Sequence, residues 1–257
     1  LGAGSNQRGN RCNPDAIANP DNVAMVEKYN QLIIGEDSGR HENNMVWVYD
    51  VYSMSLSRVF TVPLGAETTS PYFHENIGGN DWITVVGQHP DAPVDPFFGL
   101  IKVSANKGKH DSPVWKGIPM ATGDEKLTTQ TTDTAVFGNF KEHVPFQKLI
   151  TVGDSVGSKH KFGYTLDMNM NQIYQQNGDG SANNNEEFSD NPDYMSIMEV
   201  DGRIFSMVHF ESPRPGMVYL LELTQSDGQL KVIRMEPVDA SNVGGIWIPC
   251  AGSMTPW

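Results

Sequence analysis

Short apolar or alternating runs, each bounded by turn residues, recur along the whole of this 257-residue chain, and they limit it to β structure almost throughout. The first half carries 31–34, 45–49, 58–62, 82–86 and 100–103. The second half repeats the rhythm at 148–152, 194–200, 203–208, 218–223 and 230–234. Asp201-Gly202 and Asp227-Gly228 fall between strand pairs, where a type I′ turn needs left-handed backbone that Gly adopts freely, so both mark hairpins. The polar stretch 178–191 has too little apolar content for a strand and reads as a long surface loop.

Antiparallel hairpins at this spacing suit a β-propeller, built from four-stranded blades of about 40 to 50 residues. A β-sandwich is the alternative, because periodicity does not separate the two. About fifteen strand candidates make close to four blades. A propeller edge cut from a larger ring would leave unpaired strands exposed.

Charge narrows the partners. A net charge of −13 argues against nucleic acid, whose phosphates require a basic footprint, and is better suited to divalent cations. No apolar run approaches the roughly 20 residues that span a bilayer, and no basic-then-apolar leader stands before Leu1. The expectation is a soluble protein or a mature secreted form, with no integral membrane segment. Cys12 and Cys250 sit in no Cys-x-x-Cys spacing, which excludes a zinc ribbon or thioredoxin motif. They could form one disulfide, be two unrelated buried thiols, or leave Cys250 as a metal ligand.

The segment Cys250-Ala251-Gly252-Ser253-Met254-Thr255-Pro256-Trp257 puts a thiol into a tight Gly/Pro turn. It resembles the Cys-Ala-Gly-x-x-Thr-Pro-Trp segment of the PhoX-type alkaline phosphatases, which are secreted, metal-dependent enzymes. Further words are similar to that family's C-terminal part: Pro20-Asp21-Asn22 with 31–37, Pro63-Leu64-Gly65-Ala66-Glu67, and Gln88-His89-Pro90. Words similar to its N-terminal part follow: Val152-Gly153-Asp154, Phe162-Gly163-Tyr164, Asn191-Pro192-Asp193-Tyr194 and His209-Phe210-Glu211. The blocks are in inverted order, as in a circular permutant or a chain of rearranged fragments. The junction falls near 96–106, dividing one shared domain into 1–100 and 101–257.

The resemblance implies an incomplete or permuted part of a six-bladed propeller, with Fe³⁺ held by Cys250 and Ca²⁺ by carboxylates. Its candidate metal ligands are Cys250, Asp37, Glu67, Asp193 and Glu211. Phosphate ester hydrolysis needs cations to neutralise the phosphoryl oxygens. Hard ions take carboxylates, whereas a thiolate suits iron or softer metals. The family's segment runs on into a Gly-Thr-Trp stretch and a Glu-Glu pair of further ligands, and the sequence stops before either. Glu36 competes with Asp37 for the ligand role, and Asp37, Glu67 and Asp193 each have an ordinary reading as turn or loop carboxylates. His89 and His209 read as structural hydrogen-bonding groups. No Gly-x-Ser-x-Gly elbow or Gly-x-x-x-x-Gly-Lys-[Ser/Thr] loop is present.

The function expected from the resemblance is a periplasmic or extracellular phosphatase acting on small phosphate esters. The alternative is a non-enzymatic extracellular propeller that binds or supports, by self-association or in assembly with other chains.

Overall fold

The computed structural model describes residues 9–103, 111–213 and 215–255, which form two compact units, Leu1–Lys148 and Leu149–Trp257. Pro256 and Trp257 of the terminal word, and 104–106 of the junction, lie outside the described residues. The fold is all-β. Helix is confined, among the described residues, to three short 3₁₀ turns.

In the first unit, β1 (Pro20–Val26), β2 (Gln31–Glu36), β3 (Met45–Asp50) and β4 (Ser55–Thr61) form an antiparallel meander. Next come β5 (Glu67–Ile77), β6 (Asn80–Gln88), β7 (Phe97–Val103), β8 (Pro113–Trp115), β9 (Gln130–Thr131), β10 (Thr134–Phe137), β11 (Phe140–His143) and β12 (Phe146–Thr151), the last of which runs past the end of the unit at Lys148. β9 extends the meander beyond β4, β8, β10 and β11 make a three-stranded sheet, and a four-stranded sheet runs β12-β7-β6-β5. Strand β7 passes through the 100/101 position, and the boundary between units falls later, at 148/149. All nine residues of β6 are buried, as expected of a central strand covered on both faces. Its Ile83 and Val85 join Val46, Val59, Phe60, Phe97 and Phe137 in one apolar core.

The second unit contains β13 (Tyr174–Gln176), β14 (Ala182–Glu186), β15 (Pro192–Val200), β16 (Arg203–Phe210), β17 (Met217–Ser226) and β18 (Gln229–Pro237). The last four make an antiparallel meander in chain order. Both hairpin turns read from the sequence are there, with Asp201-Gly202 at φ 51° and 74° and Asp227-Gly228 at 53° and 72°. Behind the sheet Phe162, Phe210 and Tyr219 stack edge to face with centroids 5.1 to 5.7 Å apart. Truncating either Phe to Ala would cost about 3–5 kcal/mol.

The stretch 178–191 departs from the expected loop, because β14 lies inside it and pairs with β13. Strand formation there needs no apolar face. The turn is closed by backbone bonds from Asn177 to Ser181 and from Gly180 to Asn177, and the ladder is backbone as well.

Candidate metal centre

Strand pairing brings together the acidic residues of the second unit. Because β15 and β16 are antiparallel, the start of one lies beside the end of the other, with Pro192 opposite Phe210. Asp193 follows Pro192 at a break in the register, where a bulge re-aims a side chain, and Glu211 follows Phe210. The Glu211 N–H bonds the Asn191 carbonyl at 2.8 Å, tying the two ends together.

Cys250 arrives from the other direction. The terminal segment is pinned by Gly216 N–H to the Ile246 carbonyl and by Ile248 N–H to the Ser212 carbonyl, and the Cys250 N–H closes back on Ile248. The next turn is clamped. His209 donates to the Ala251 backbone and packs on Tyr194 with centroids 4.8 Å apart, so it is the hydrogen-bonding residue expected of it. A Cβ on Gly252 would fall 2.4 to 2.7 Å from three Tyr194 ring carbons, so only glycine lets the turn seat there.

The outcome is a group in which one ligand atom each from Asp193, Glu211 and Cys250 lies within 4.8 Å of the others. Asp193 is buried, Glu211 half-buried and Cys250 exposed. Desolvation, then the hydrogen bonds and charges of Asp193 and Glu211, push the Cys250 thiol up to about 12. Without a cation the thiol keeps its proton. A cation there would exchange for that proton and be met by two hard oxygens and one sulfur. Neither cysteine is in a disulfide, and both are exposed, which overturns the readings of a bridge and of two buried thiols.

Asp37 and Glu67 meet in the first unit instead. Glu67 opens β5 opposite Gln88, the last residue of β6, so His89 stands beside it, with Nε2 3.0 Å from the Glu67 carboxylate. His89 has φ 35°, an uncommon conformation for a non-glycine residue and one that recurs at functional sites. Asp37 follows β2. A Cβ on Gly35 would meet the Thr68 carbonyl at 2.6 Å, and the Glu36 N–H bonds Thr68 Oγ1 at 2.7 Å, so β2 comes unusually close to β5. Burial first, then the charge and hydrogen bond of Glu67 and the charge of Asp21, raise the Asp37 carboxyl to about 6. Burial also raises Asp21, with Glu67 adding to it. Burial acts to raise Glu67 as well, but the bonds and charge from His89 outweigh it and leave that carboxyl below its usual range. Of the two, Asp37 is the carboxyl driven toward its neutral form, and Glu67 is the one that keeps its charge.

Glu36 has no part in this cluster. It is fully buried, and its carboxylate accepts from Ala18 N–H at 3.0 Å and Trp47 Nε1 at 2.9 Å and pairs with His41 Nδ1 at 3.0 Å. It is a structural carboxylate. The sequence reading missed Asp21 and His89 as members of the cluster, and Tyr194 as part of the clamp. All three lie within words quoted for the resemblance, but nothing in their spacing marked a role. No protein-family model matches this chain, and no curated protein matches it.

Proposed function

We propose that this chain is a secreted, propeller-type phosphatase, related to the PhoX-type enzymes, that hydrolyses phosphate esters through a calcium and iron cluster. One observation carries the reading: Asp193, Glu211 and Cys250, far apart in sequence, present two carboxylates and a thiol to one point. A thiol among carboxylates is an unfavourable arrangement in itself, since each negative charge discourages the next. A cation reverses that sign.

The donors fit the metals. Two oxygens and a sulfur suit Fe³⁺, with Cys250 as the soft ligand. Asp37, Glu67 and Asp21 offer oxygen alone, which suits Ca²⁺. When bound, such ions supply Lewis-acid charge that neutralises phosphoryl oxygens in the transition state. The protein's part is to hold its ligands still: the bulge at Asp193, the backbone tie at Glu211 and the Tyr194–His209 clamp on the Cys250 turn fix three donors before any ion arrives. His89 orients Glu67 from outside the donor set, as a residue supporting a ligating carboxylate does.

Two four-stranded sheets, β12-β7-β6-β5 and β15 to β18, support the propeller reading as blade-sized units. No helix among the described residues is long and apolar enough to cross a membrane. The test is elemental analysis of protein purified without chelator, together with phosphate release from 4-nitrophenyl phosphate. Bound iron and calcium with release that chelation abolishes is the expected result. Protein that takes up neither metal and releases no phosphate would sink the phosphatase and favour the non-enzymatic binding propeller.

A further inference from the structure

The second unit also contains a cavity of about 370 Å³, within the size range of small-ligand pockets. Its walls are mostly apolar: the thioethers of Met168, Met170 and Met217, the rings of Pro213 and Pro215, and the indole of Trp247. Flat, polarisable groups of this kind hold an aromatic ring by dispersion and sulfur–ring contact. Trp247 and Met168 are 69% and 58% exposed, a large apolar expenditure at a surface unless something covers them.

Two of its walls are continuous with the candidate metal centre. Pro213 stands two residues after Glu211, and Trp247 three before Cys250, reaches of at most about 7 and 11 Å. These segments are locked to each other by the Gly216–Ile246 bond, and Gly216 is packed so tightly on Pro249 that a Cβ would lie 2.4 Å from the proline ring. A group resting against Pro213 and Trp247 therefore touches the same two chain segments that carry Glu211 and Cys250.

Among the described residues, one charge lines the cavity. The Asp167 carboxylate accepts from the N–H groups of Asn169 and Asn171, both at 2.8 Å, and from Asn171 Nδ2 at 3.2 Å. The Asn171 bonds, backbone first, hold this carboxyl below the usual range, so it is ionised at neutral pH. A fixed negative charge repels a second anionic group and tolerates a neutral one.

We infer that this cavity is the leaving-group pocket for phosphate monoesters of neutral aromatic alcohols. The inference rests on the phosphatase reading above. In the reaction, a water oxygen bonds to phosphorus as the bond from phosphorus to the aryl oxygen breaks. The aryl oxygen takes a proton, and the products are the aromatic alcohol and inorganic phosphate. The alcohol is released from between Trp247 and the methionines.

The experiment measures two things on the metal-loaded protein and on Trp247→Ala and Met168→Ala, both at exposed positions, with far-UV circular dichroism as the check on folding. The first is binding of 1-naphthol by calorimetry. The second is the ratio of kcat/KM for 1-naphthyl phosphate to that for glycerol 2-phosphate. Removing the indole should weaken naphthol binding about tenfold and lower the ratio about tenfold, the usual scale for losing a buried aromatic contact. Met168→Ala should act in the same direction by a smaller factor. An active phosphatase that binds no naphthol, or whose ratio ignores both substitutions, would overturn the pocket assignment alone. Naphthol bound through Trp247 by a protein that releases no phosphate would overturn the phosphatase reading, and with it the leaving-group role.

Discussion

The acidic clusters of the two units solve one electrostatic problem in different ways. In the second unit, Asp193 and Glu211 are joined by a thiol that stays protonated, pushed up to about 12 by partial burial and the carboxylates beside it. In the first, Asp21, Asp37 and Glu67 have no soft atom among them; Asp37 is driven toward its neutral form and His89 supports Glu67. The thiol-bearing group of the second unit has donors that suit a cation valuing sulfur, and the all-oxygen group of the first has donors that suit a hard cation.

Substituting the sulfur should break this comparison most completely. Cys250→Ser keeps the turn, since Cys250 is exposed and its packing is slight, but replaces a thiolate donor with a hydroxyl. Iron content, read by elemental analysis, should fall to background while calcium is retained. Loss of both metals together would mean that the clusters do not bind independently.

Glu36→Gln addresses the scaffold next to Asp37. Halving a fully buried pair leaves His41 facing an amide and weakens the bonds from Trp47 and Ala18, a change worth about 3 kcal/mol. Chemical denaturation should show that loss with calcium affinity little changed per folded molecule. A large fall in affinity at unchanged stability would return Glu36 to the ligand set.

Gly252→Ala tests the clamp rather than a ligand. The added methyl meets the Tyr194 ring, so the turn must shift and carry Cys250 with it. Iron affinity should drop by about tenfold, the low end of what loss of an orienting contact costs. Added to Tyr194→Ala, the Gly252→Ala change should lower iron affinity no further if the ring is the obstacle.

These cases also show what the sequence made legible. The strand runs and both Asp-Gly hairpins stood out because alternation and left-handed turn residues are local signals. β14 did not, since a hairpin held by backbone and turn bonds carries no apolar pattern. Among the candidate ligands, Asp193, Glu211 and Cys250 were nameable one at a time, but their convergence depends on β15–β16 register and on a bulge, which composition does not encode. The choice between Glu36 and Asp37 was likewise undecidable from neighbours in sequence. It turns on Trp47 and Ala18, which reach Glu36 and leave Asp37 to the cluster.

The smallest effect is the most direct probe of the first cluster. Asp37 is raised from 3.8 to about 6 in the folded chain, so its protonated form is the one the fold prefers. The stability it contributes is therefore fully present below about pH 4 and is lost as pH rises through about 6. In chelator-treated protein, urea midpoints should fall across that window. Asp37→Asn, which cannot ionise, should remove the fall and leave the variant more stable than the parent at pH 8, by on the order of 1 kcal/mol once screening by solvent at this only partly shielded carboxyl is allowed for. With calcium added the order should reverse, because the ion then favours the ionised carboxylate that the amide lacks. A parent protein whose stability rises from pH 4 to pH 8 without metal would show that Asp37 is an ordinary turn carboxylate, and that the two clusters are not alternative answers to the same crowding of charge.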